Sequence, residues 1–131
     1  QPNVADRHSR MAILLSIQGN VEQAISYIDR AIALSPDETS YRALRVTMLT
    51  ELRRYDEALA ELDDLITLNP RSKTYLLAKA ELSLSAKKFA QADSAYRALL
   101  KLHPKDDTSR QLMRAYFESI GDEEALKKLK R

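Results

Sequence analysis

Two histidines, His8 and His103, are the residues best suited to acid–base or metal chemistry, and the chain contains no cysteine. Without a thiol there is no disulfide, no sulfur nucleophile and no cysteine-held zinc or iron–sulfur site. The histidines lie far apart and neither belongs to an H-x-x-x-H pair, so they offer no zinc couple and no triad base. Asp56, Glu57, Glu61, Asp63 and Asp64 form an acidic stretch. A catalytic carboxylate pair needs an apolar cleft that raises one pKa. Nothing near these residues implies one, so the stretch reads as a solvated outer face. Lys87-Lys88 and the terminal Lys127, Lys128, Lys130 and Arg131 read as a solvated turn and a chain end, because no aromatic residues interleave with them for base stacking. The expectation is therefore no catalytic residue, no metal and no cofactor.

Composition narrows the partners. Among 131 residues, 21 Lys and Arg face 19 Asp and Glu, a formal net charge of +2. That near balance argues against a nucleic-acid partner held by bulk phosphate neutralisation. The longest apolar run, Met11 to Leu15, is far too short to insert in a membrane. Two glycines in the whole chain disfavour tight β-hairpins and phosphate-cradling loops. The length suits one small domain with a real core.

Pro2, Pro36, Pro70 and Pro104 are each 34 residues apart. Four prolines on one period mark an internal repeat. Ala24, Ala58 and Ala92 keep the same spacing, as do Val21, Tyr55 and Phe89, then Ile28, Leu62 and Tyr96, then Leu34, Leu68 and Leu102. Within a period the apolar steps are three and four. Phe89, Ala92, Ala95, Tyr96, Leu99, Leu100 and Leu102 make one helical stripe, and Met11, Leu14, Leu15 and Gln18 make another. Each second helix ends before a proline, which cannot continue the ladder. Polar start signals follow: Asp37 to Ser40, then Ser72 and Thr74, then Asp107 and Thr108. Gly19-Asn20, Arg53-Arg54, Lys87-Lys88 and Gly121-Asp122 separate the two helices of a unit. The unit is helix–turn–helix–turn.

At these residues the chain resembles the tetratricopeptide repeat family, whose motif runs W-x2-L-G-x2-Y, A-x3-F, A and P over 34 residues. The first unit supplies His8, Met11, Ala12, Leu15, Ala24, Ile28, Ala31 and Pro36. The second supplies Arg42, Arg45, Val46, Leu49, Ala58, Leu62, Leu65 and Pro70. The third supplies Leu76, Lys79, Ala80, Ser83, Ala92, Tyr96, Leu99 and Pro104. A fourth fits best one residue early, through Ser109, Leu112, Met113, Tyr116, Ala125 and Leu129. Arg45 and Lys79 replace an apolar motif residue, and Val46 and Met113 replace a small one, which should widen local packing.

The resemblance implies an all-α fold, a right-handed superhelical solenoid of seven to eight antiparallel helices in pairs. Its single domain would hold repeats at about 5–38, 39–72, 73–106 and 107–131. The start, Gln1-Pro2-Asn3, reads like Ser35-Pro36-Asp37, so the chain is expected to be cut from a longer array or protein. The alanines at the contacts let paired helices approach closely, and stacked units close a shared core.

The resemblance also implies a working surface, the concave face lined by the first helix of each unit. Carried over residue by residue, the partner-binding set is Ser9, Ile13, Ile17, Thr47, Thr50, Leu77, Glu81 and Leu84. Arg110, Gln111, Arg114 and Glu118 are its counterparts in the fourth unit. Ile13, Ile17, Leu77 and Leu84 are read as inner-face residues free of the packing stripes, open to a peptide or protein partner. Family members that clamp a C-terminal carboxylate use Lys, Asn and Arg there. The matching Ser9, Ile13, Leu44, Thr74 and Ala78 cannot form such a clamp. The implied function is a non-catalytic protein–protein interaction scaffold. Two alternatives stand beside it. One is a self-assembly module, a weak homo-oligomer pairing units of opposite charge. The other is a regulatory or anchoring segment of a larger enzyme or bacterial export machine.

Overall fold

The computed structural model describes residues 3–130, and the readings that rest on Gln1, Pro2 and Arg131 lie outside them. Eight helices and no strand occur among these residues. They are α1 (Val4–Ile17), α2 (Val21–Leu34), α3 (Thr39–Glu51), α4 (Tyr55–Leu68), α5 (Lys73–Ser85), α6 (Phe89–Leu102), α7 (Asp107–Ile120) and α8 (Glu123–Lys130). They fall into two compact units, residues 1–65 and 66–131.

The starts and stops follow from side chains. Asn3, Glu38, Ser72 and Asp106 cap α1, α3, α5 and α7, each accepting a backbone N–H of the first turn. The cap of α7 is therefore Asp106, one residue before the expected start signal. The first helix of every pair ends in the same way. Asn20, Arg54, Lys88 and Asp122 donate their N–H groups to the carbonyls of Leu15, Leu49, Ser83 and Phe117 over 2.8–3.0 Å. The residue before each donor, Gly19, Arg53, Lys87 or Gly121, has positive φ, at +86°, +61°, +61° and +71°. This is a Schellman cap repeated every 34 residues.

In the first unit the repeated alanines Ala12, Ala24 and Ala58 have no exposed surface, and Ile28, Leu49, Leu62 and Leu65 fill the space around them. The stripe expected on α1 is corrected. Its buried residues are Ala5, Ser9 and Ala12, while Met11 and Leu14 are exposed. Leu14 is 48% exposed, whereas Met48, one repeat later, is 2% exposed. Leu34, Leu68 and Phe89, placed in buried stripes by their spacing, are exposed as well. They occupy the ends of their helices, where a stripe runs past its neighbour.

The second unit closes around Leu76, Ala80, Ala95, Tyr96, Leu99, Met113, Phe117, Ala125 and Leu129. The early register of the fourth repeat holds, because Met113, Ala125 and Leu129 are all buried. The turn between α7 and α8 has only Gly121 and Asp122, against three residues from Ala86 to Lys88 between α5 and α6.

Candidate partner-binding groove

In the second unit two adjoining hollows lie over α5 and α7. The first, of 320 Å³, is walled by Thr74, Leu77, Ala78 and Glu81 of α5 and by Thr108 and Ser109 of α7. Lys73 and Asp106 close it with an ion pair of 2.5 Å. That contact, with the N–H of Ser109, holds the Asp106 carboxyl well below the usual carboxylate range. The second hollow, of 440 Å³, is walled by Glu81, Leu84 and Ser85 of α5, Tyr96 of α6, and Leu112, Ala115, Tyr116 and Ser119 of α7.

The floor of the second hollow is rigid. The Tyr96 and Tyr116 rings stack at 4.3 Å between centroids. The Tyr116 hydroxyl donates to Asp93 over 2.6 Å, and Arg97 joins Asp93 to Asp122 through two contacts of 2.8 Å. Burial, and next the charge of Glu81, raise the Tyr96 hydroxyl above its usual pKa.

Three residues of the expected set therefore meet on these walls: Leu77, Glu81 and Leu84. Leu77 and Leu84 are not free of the core, however. Both are half-buried and pack against the cluster around Leu99 and Phe117. In the first unit Ile13, Ile17 and Thr47 are exposed, and Ile17 is 79% so. Thr50 is half-buried, and the Thr47 and Thr50 hydroxyls donate back to the carbonyls of Ala43 and Val46. Ser9 is corrected. It is 4% exposed and donates to the Asp6 carbonyl, so it belongs to helix packing and presents no surface to a partner.

The α7 wall differs from the expected one. Arg110 donates to the Leu129 carbonyl at the end of α8. Gln111, Arg114 and Glu118 are exposed outside the hollows, whose wall is Thr108, Leu112, Ala115 and Ser119. The early fourth register was the signal that could have shifted the assignment.

A further groove, of 560 Å³, lies in the first unit between Asp29, Ile32, Arg42, Arg45 and Glu61. Arg42 contacts Glu61 at 3.0 Å and Asp64 at 3.5 Å, while Arg45 contacts Asp29 at 2.8 Å and Glu61 at 3.8 Å. Glu61 is mostly buried, which corrects its placement on a solvated face, and Arg45 fills its motif position as an ion-pairing residue. His8 packs on Tyr27, with ring centroids 5.9 Å apart. His103 is half-buried rather than exposed, its Nε2 lying 2.6 Å from the Arg71 carbonyl oxygen. No group of three metal-ligating side chains occurs among the described residues, and no helix is long and apolar enough to cross a membrane.

No curated protein matches the sequence. Solved structures do match the fold. A MamA fragment from Desulfovibrio magneticus RS-1 superposes with a TM-score of 0.77 at 16% identity, covering 96% of this chain and 72% of that one. The first tetratricopeptide repeat domain of Spaghetti (RPAP3), bound to the HSP90 peptide SRMEEVD, gives 0.74 at 15% identity over 91% and 94%. The repeat domain of Arabidopsis OM64 gives 0.72 at 15% over 88% and 95%. The expected all-α fold class is thus the observed one. The sequence profile described as tetratricopeptide repeat matches residues 10–73 and 49–107, most of the chain, and the protein belongs to that family of helical, protein-binding repeats.

Proposed function

We propose that the chain is a non-catalytic scaffold that binds a peptide or protein segment along the first helices of its repeats, with α5 and α7 as the principal surface. The adjoining hollows carry this reading. They are elongated together, lined by leucine and alanine, and edged by the hydroxyls of Thr74, Ser85, Thr108 and Ser119. Such walls suit a chain with apolar side chains and backbone groups to satisfy. The RPAP3 neighbour, with its bound HSP90 peptide, supports a peptide as the class of occupant.

The test is a selection of random peptides displayed on phage, followed by amide NMR mapping of the selected binders. Shifts concentrated on α5 and α7 are expected. Shifts gathered around Arg42 and Arg45 would move the binding surface to the first unit's charged groove.

A second reading, self-association, is favoured by the exposed Ile13, Leu14 and Ile17 on α1. Sedimentation at low and high salt decides it, since a monomer under both conditions removes it.

A further inference from the structure

Glu81 is the one residue that walls both hollows. It is exposed, and among the described residues it makes no ion pair and no hydrogen bond. The other charges at the walls, Lys73 and Asp106, neutralise each other. The remaining lining is leucine, alanine, tyrosine, serine and threonine. A ligand laid across the groove therefore covers an unbalanced carboxylate. Covering it with apolar atoms would strip its water without replacement. A cation restores the lost solvation through charge-assisted hydrogen bonds.

Spacing adds a second constraint. Leu77, Glu81 and Leu84 stand at i, i+4 and i+7, so they share one face of α5. The two leucines are two turns apart, about 10 Å. An extended chain covers that distance in about three residues. The rim hydroxyls of Thr74, Ser85, Thr108 and Ser119 favour an extended chain over a helix, because only an extended chain has free backbone groups to offer them.

We infer that the groove recognises an extended peptide in which a lysine or arginine lies between two large apolar residues three positions apart. The cation meets Glu81, and the apolar side chains fill the hollow on either side. This inference rests on the scaffold reading above and gives it a ligand class.

The test uses three acetylated, amidated peptides that share two leucines three positions apart. Between the leucines they carry lysine, norleucine or glutamate. Each is titrated to millimolar concentration against the parent, Glu81→Gln and Glu81→Lys, by amide NMR. The parent should bind the lysine peptide about tenfold more tightly than the norleucine peptide, a factor typical of one charge-assisted contact. Glu81→Gln should bind the two equally, and Glu81→Lys should prefer the glutamate peptide. Melting temperatures of both variants should match the parent.

If the parent binds the lysine and norleucine peptides equally on α5 and α7, the inference is overturned and the scaffold reading survives. If no peptide perturbs α5 or α7, both fall. A depressed melt in Glu81→Gln would assign Glu81 a structural role and overturn the inference.

Discussion

Tyr116 donates its hydroxyl proton to Asp93 across 2.6 Å, tying α7 to α6 beneath the groove. Arg97 holds the same carboxylate and reaches on to Asp122. Asp93 is consequently held below the usual carboxylate pKa, first by Arg97 and then by Tyr116. Asp122 is lowered by the N–H of Ala125 and by Arg97, and Asp106 by Lys73. Such groups stabilise the fold above their unfolded pKa of about 4 and lose that contribution as pH falls through their lower folded values. Tyr116 has the opposite sign. Burial, aided by Asp93, pushes it up to about 12, so its contribution is lost as pH rises from about 10 towards that value. Melting temperature should therefore decline below about pH 4 and again above about pH 10. Asp93→Asn should have a flatter acid limb than the parent in a pH series of thermal melts.

The repeated alanines set the separation of the paired helices. Ala58 and Ala92 have no exposed surface. Ala58→Leu or Ala92→Leu should overpack and destabilise by roughly 1–3 kcal/mol. Denaturant unfolding measures this, and parent-like midpoints for both variants would count against the helix-pair packing.

The left-handed caps provide an internal control. A side chain at Gly19 or Gly121 would meet nothing within 4 Å, so glycine serves there through backbone conformation alone. Arg53 and Lys87 hold the same conformation with a Cβ. Arg53→Gly and Lys87→Gly should stabilise by up to about 1 kcal/mol, and Gly121→Ala should destabilise by a similar amount. Identical melts for all three would deny the cap its role.

Ser83 is fully buried, and its hydroxyl has no hydrogen-bond partner among the described residues. Its counterparts one repeat to either side are Leu49 and Phe117, both equally buried. Ser83→Ala removes the unsatisfied hydroxyl and should stabilise by about 1 kcal/mol. A loss of stability on calorimetry would reveal a partner for that hydroxyl.

The period, the hairpin turns and the inter-helix alanines were all legible in the sequence, because each depends on local spacing. Which apolar face of a helix is covered was less so. On α1 the apolar band spans more than one face, and the covered one carries the small residues Ala5, Ser9 and Ala12 rather than Met11 and Leu14. Glu61 looked solvated because its partners, Arg42 and Arg45, come from another helix. On the groove, Leu77, Glu81 and Leu84 were found from their place on α5. Tyr96 and the α7 wall were missed because they depend on how three helices meet.

The brevity of the hairpin turns has a kinetic consequence. In the pairs α1/α2 and α5/α6 only three residues separate the helices. A loop that short closes within about 100 ns, and helices themselves form within about 1 μs. Neither pair needs a distant strand or a crossover to complete its contacts. Topologies of this low contact order fold in microseconds to milliseconds. Each pair can thus nucleate by itself, so a chain emerging from the ribosome could begin folding as soon as its first hairpin has cleared the exit.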